Sequence, residues 1–244
     1  MSQPDATPRS NTAATASAAV GPTVNAPFRG YFLPEDIAAD RWVHLAALIL
    51  CTVGIPLLLT LAGRSTRSAV LVACCVYSMT LVMLFACSTA FYHVRLRIER
   101  RRLRQLDHAA IFLLIAGTYT PFTALLLHGL EAVAITAIIW AGAITGAAYK
   151  LARPLAFPGF SPAGYLLLGG TALIGLGPVL QAVEPVSLFL IIAGMAIYAL
   201  GAVIRRRRAL RYRNTIWHMM VIAAASCHYI AILRGVVLAT GGAS

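Results

Sequence analysis

The chain has 244 residues, of which 59% are hydrophobic and 11% charged, with a mean hydropathy of +0.79. Soluble domains carry about 25% charged residues, so an ordinary globular protein is excluded. The net charge of +12 invites a nucleic-acid reading, but fourteen of the twenty basic residues sit in three loops between apolar runs, where anionic lipid headgroups explain them and nucleic acid does not.

The runs are predicted to be seven transmembrane helices, because a hydrocarbon core of about 30 Å needs about 20 residues at 1.5 Å each. Spanning strands are excluded, since the runs do not alternate and an open sheet edge cannot be satisfied in lipid. Residues 1–40, rich in Ala, Thr, Ser and Pro, are predicted to be a disordered tail without a signal peptide. The membrane domain covers 41–240. Its first stretch, about 42–63, starts at the interfacial Trp42. The second, 68–93, ends at His93, and the arginine-dense segment from Val94 to Leu106 reads as a short interfacial helix. The third, 107–127, opens at Asp107. The fourth, 132–151, carries Gly142 and Gly146, a G-x-x-x-G face suited to close helix contact. Pro154, Pro158 and Pro162 interrupt the helical pattern before the fifth, 163–182, whose outer end Pro178 bends. The sixth, 186–204, stops at four consecutive arginines, and the seventh spans 215–238.

The basic loops follow the second, fourth and sixth stretches and so share one side. They hold Arg95, Arg97, Arg100, Arg101, Arg102, Arg104, Lys150, Arg153, Arg205, Arg206, Arg207, Arg208, Arg211 and Arg213. By the positive-inside rule that side is cytoplasmic, which places the N-terminus inside and the C-terminus outside the cell membrane. Seven helices do not divide into two equal inverted halves, so a repeat-built transporter is not expected. Cys51, Cys74, Cys75, Cys87 and Cys227 all lie in apolar runs and imply no disulfide framework.

His93, Asp107 and His218 come from three helices and share the inner level, which makes them a candidate metal cluster. Two of them also have a plainer role. Asp107 suits a helix N-cap, and His93 suits a helix C-terminal end in contact with water. Thr89, four residues before His93, lies on its face and is placed to orient the imidazole. Asn214 stands in the same relation to His218, as a poor zinc ligand at chelating spacing. His44 begins the first helix at the same level. His228, about 15 Å deeper than His218, is either a functional group or a neutral imidazole bonded to a neighbouring helix. His128 falls on the outer side, and His108 points away from Asp107 by about 100°.

The strings STAFYH at 88–93, LDHAAIFLLIAGTYTPF at 106–122 and NTIWHMMVIAAASCHYIAI at 214–232 resemble the hemolysin III family, the bacterial branch of the progestin and adipoQ receptors. The resemblance covers the whole membrane body and implies a seven-helix bundle with a cytoplasmic N-terminus. It further implies zinc near the inner face, held by a histidine ending helix 2 and two histidines four apart on helix 7, with an aspartate of helix 3 contacting it through water. By position these are His93, Asn214, His218 and Asp107, so one family histidine is replaced. The family serine of helix 2 falls on Thr89. The implied activity is metal-dependent hydrolysis of a lipid amide, with Asp107 as the catalytic carboxylate. The alternatives are a channel or cytolysin, or a sensor of membrane lipid state, with a receptor for a large extracellular protein least expected because the outer loops are short. Membrane lipids are the expected partners.

Overall fold

The computed structural model describes residues 34–94, 97–127, 129–152, 164–165, 167–170, 183–207 and 209–239. The chain is an all-helical membrane protein, with no strand among the described residues. Its helices are α1 (Pro34–Ala62), α2 (Ser68–His93), α3 (Arg97–Leu126), α4 (Gly129–Ala152), α5 (Pro185–Arg206) and α6 (Arg213–Ile232). A wider π-helical turn, Leu233–Leu238, extends α6. Five of these are long and apolar enough to cross a membrane: Ala38–Ala62, Ser68–His93, Gly129–Ala152, Pro185–Arg206 and Arg213–Leu238. The predicted sixth and seventh stretches are thus α5 and α6. The predicted fifth, with Pro178, lies largely outside the described residues, as do Pro154, Pro158, Pro162 and His128; within it 164–165 and 167–170 are helical.

Two boundaries differ from expectation for physical reasons. First, α1 begins at Pro34, ahead of the predicted Trp42, because proline's fixed φ suits a first helical turn where its missing N–H is not needed. Second, α3 begins at Arg97 and passes through Asp107 without a break. Arginine and leucine are strong helix formers, so the cationic segment and the apolar run fuse into one 30-residue helix. Asp107 is therefore not an N-cap; it projects from a helix interior.

The central helix is α3, packed between α2 and α4 and touching α6, while α1 bridges α2 and α6, and α5 lies on α6. Ala109, Ala110, Ala116 and Gly117 of α3 are buried, so their small size lets the neighbouring backbones approach closely. Apolar side chains turn outward where lipid would meet them, as with Ile49 and Val53 on α1, Met79 on α2, Ile138 on α4 and Phe189 on α5. The G-x-x-x-G face of α4 is a packing surface: a Cβ at Gly146 would stand 2.6 Å from the Phe112 ring, and one at Gly142 would stand 2.9 Å from Leu168. Polar ties join helices at half-buried positions. Trp140 Nε1 donates to Thr120 Oγ1 at 3.1 Å and Thr136 Oγ1 to Thr123 Oγ1 at 2.8 Å, linking α3 to α4. Tyr229 OH donates to the Gly54 carbonyl at 2.6 Å, linking α6 to α1.

The two ends of the bundle differ in charge. One end gathers the exposed Arg101, Arg102, Arg104, Arg206, Arg207 and Arg211. There Arg104 lies over Phe91 at 5.2 Å, and Arg205 over Trp217 at 5.4 Å. Gln105 Nε2 donates to the Leu151 carbonyl at 2.9 Å, tying α3 to α4 at that end. At the far end Arg234 meets Glu184 at 2.7 Å.

A methyl group at Gly117 would run into the Thr80 side chain, whose hydroxyl is already committed to the Tyr77 carbonyl at 2.8 Å. Gly117→Ala is expected to cost about 1–3 kcal/mol by overpacking, read as a lower melting temperature in detergent. The Arg234 hydrogen bond, more than any other contact, holds the Glu184 carboxyl below its usual value. A carboxyl lowered in this way stabilises the fold above its unfolded pKa, and that contribution disappears as pH falls through the folded pKa. The melting-temperature gap between wild type and Glu184→Gln should therefore be small at neutral pH and close on acidification.

Candidate functional site

At the cationic end α1, α2 and α6 meet around a buried carboxylate. Asp40, four residues before His44 on α1, is completely shielded from solvent. Its Oδ1 lies 3.2 Å from His218 Nδ1 on α6, a contact between residues 178 apart in sequence. The backbone carbonyl of the same Asp40 lies 2.6 Å from His44 Nδ1. A carbonyl oxygen can only accept, so His44 donates from Nδ1, and the Asp40 carboxylate stands as the acceptor for an Nδ1–H of His218; in each ring Nε2 is the nitrogen that Asp40 does not engage. The two rings meet edge to face at 4.4 Å between centroids. Tyr92 of α2 packs against both, 4.9 Å from His44 and 5.5 Å from His218, and its hydroxyl hydrogen-bonds Asp40. Buried carboxylates are costly unless paired, and here His218 and Tyr92 share that task.

Asp107 approaches from α3. Its Oδ1 accepts a hydrogen bond from Ser88 Oγ of α2, and the carboxylate lies within electrostatic reach of His44 and Tyr92. Thr89, the residue expected to serve the site, spends its hydroxyl on the Phe85 carbonyl of its own helix at 2.7 Å. His93 is exposed, with its Nδ1 2.9 Å from the Thr89 carbonyl. Of the expected trio, the structure thus gathers Asp107 and His218, adds His44, and leaves His93 at the rim. Asn214 is half-buried one turn before His218.

These groups stand at one end of a cavity of about 420 Å³ lined by His44, Ser88, Asp107 and His218, with neither His93 nor Asn214 in its wall. Otherwise the wall is almost entirely apolar, with Leu114, Phe122, Ile191 and Met195 among its members. It follows α3 from Asp107 to Phe122, fifteen residues or about 22 Å along a helix. Deep in this space His228 is buried, its Nε2–H pointing at the Ile191 carbonyl 3.3 Å away. That helix-to-helix bond is one of the two alternatives the sequence left open. Gly194 makes room for it, since a Cβ there would lie 2.5 Å from His228 Nε2.

Two imidazoles beside the Asp107 carboxylate have the donor chemistry that zinc prefers. Asp40 Oδ2 is buried without a hydrogen-bond partner, an acceptor left unused behind the two rings. Among the described residues no three His, Cys, Asp or Glu side chains already converge on one point. The residues fit a cation by the chemistry of their donors, not by a site already assembled around one point. Asp40 and Ser88 were missed in sequence. Asp40 carried a signal nonetheless: an acidic residue opening an apolar run, one helical turn from a histidine.

A family model described as Haemolysin-III related matches residues 38–229. Hemolysin-3 of Bacillus cereus is 29% identical over 202 residues, covering 83% of this chain and 92% of the relative. Hemolysin-3 homolog of Bacillus subtilis (strain 168) is 24% identical over 203 residues, with 83% and 95% covered. Monocyte to macrophage differentiation factor of Homo sapiens is 28% identical over 218 residues, with 86% and 89% covered. The match takes in the helices that supply Asp40, His44, Ser88, Asp107 and His218, and with it the chain belongs to the Haemolysin-III related family of multi-pass cell-membrane proteins.

Proposed function

We propose that this protein is a zinc-dependent hydrolase of lipid amides, acting at the cationic end of its bundle, and that this end faces the cytoplasm. The observation that carries the reading is the cavity: apolar for most of its length, with Ser88, Asp107 and His218 at one end. Such a chamber suits an acyl chain, each buried methylene contributing about 0.8 kcal/mol, with the polar amide stopped at the carboxylate. The arginine excess at that end supports the cytoplasmic placement.

His218 would supply a nitrogen ligand to a metal held there, with the Asp107 carboxylate of α3 in the same cavity wall. Zinc bound there would polarise the amide carbonyl and lower the pKa of water toward neutrality. Asp107 takes the proton of the attacking water as its oxygen bonds to the carbonyl carbon, then returns a proton to the nitrogen as the C–N bond breaks, releasing a fatty acid and an amine. Ser88 donates to Asp107 Oδ1 and so turns the other oxygen toward that proton.

Purified protein supplied with zinc should release fatty acid from ceramide-type lipids. Asp107→Asn should slow release by about 10²–10⁴-fold, the range of a lost general base. A metal-loaded protein without turnover on several lipid classes would overturn the reading. Ser88→Ala should lower turnover while Thr89→Ala stays close to wild type, because only Ser88 reaches Asp107.

The names of the two Bacillus relatives favour a second reading, a membrane protein that permeabilises bilayers. Dye release from liposomes with no lipid cleaved would decide for permeabilisation.

A further inference from the structure

We propose that His44 of α1, not His93 of α2, is the second nitrogen ligand of this site, and that Asp40 is the positioning residue for both ligands. The inference rests on the zinc reading above and concerns which residues of this chain serve it.

The geometry separates the two histidines. His44 is 2% exposed, forms part of the cavity wall and stands 4.4 Å from the His218 ring. His93 is exposed, outside that wall, at the last residue of α2. The chain also carries Asn214 one turn before His218, so α6 offers a single imidazole at this level. A nitrogen from α1 restores a pair.

The pair shares one anchor. Asp40 accepts from His218 Nδ1 through its carboxylate and from His44 Nδ1 through its carbonyl. A metal-binding histidine commonly donates its second ring N–H to a carboxylate or carbonyl, which selects the tautomer and raises the basicity of the ligating nitrogen. One residue does this for two imidazoles on different helices. Tyr92 packs on both rings, and the remaining positions around an ion would fall to Asp107 and water.

The test is metal titration of the full-length protein in detergent with zinc, and with cobalt as a spectroscopic probe. Wild type should hold about one ion per chain, as a mononuclear site does. His44→Ala and His218→Ala should each lose most of it, and His93→Ala should keep it. Asp40→Asn should weaken affinity by about 10–100-fold, the usual effect of removing such a partner. Nitrogen NMR of Asp40→Asn without metal should show the His218 ring losing its single tautomer, which a merely structural role for Asp40 would not cause. Should His44→Ala fail to fold, His44→Cys tests the same point by gain of signal: a near-ultraviolet thiolate-to-cobalt band that His93→Cys lacks. Wild type that binds neither ion removes the zinc reading itself. Wild type that binds zinc, with His44→Ala retaining it and His93→Ala losing it, overturns this inference alone.

Discussion

A carboxylate held wholly out of water, at the point where α1, α2 and α6 converge, is the constraint around which the cationic end is arranged. An isolated buried Asp40 would be costly enough to protonate or to pull the helix end outward. Its proton-bearing neighbours are Tyr92 and His218, which come from different helices. Satisfying Asp40 therefore sets the spacing of three helices at once, and the Asp40 carbonyl then fixes His44 as well. The same contacts that stabilise the junction determine which ring nitrogens remain open to the cavity.

The rest of the bundle keeps a space open behind that junction. Lipid offers helices no hydrophobic incentive to pack, so contact depends on small residues and a few polar ties. Where glycine or alanine lies between helices, as at Gly117 and Ala116, backbones close together. Along the cavity, larger side chains such as Leu114, Phe122 and Met195 hold the helices apart. The result is an apolar chamber ending in polar chemistry, with cation–aromatic pairs such as Arg205 over Trp217 closing the rim.

Much of this was legible in the order of residues. Apolar length alone marked the spans, and α2, α4 and α5 begin and end within a few residues of their predicted limits, as does α6 together with its π-helical extension to Leu238. The family pattern singled out Asp107 and His218, and both line the cavity. The reading of Thr89 relied on four-residue spacing, which says that two side chains share a helix face but not which groups they bond. Thr89 satisfies a carbonyl of its own turn, whereas Ser88, rotated by about 100°, faces α3. His93 shows a similar limit, because depth in the membrane fixes a level and leaves the direction around the helix open.

By itself, then, the sequence determined everything that follows from composition and period: an all-helical membrane protein, one strongly cationic end, and the depth at which its few polar groups lie. Those properties depend on the solvent each segment must satisfy, and every segment meets that requirement alone. The tertiary structure decided which polar groups share a partner. Asp40 and His218 are 178 residues apart, and nothing local in either helix announces their contact. Only packing brings α1 against α6, and only burial makes the pairing of that carboxylate obligatory.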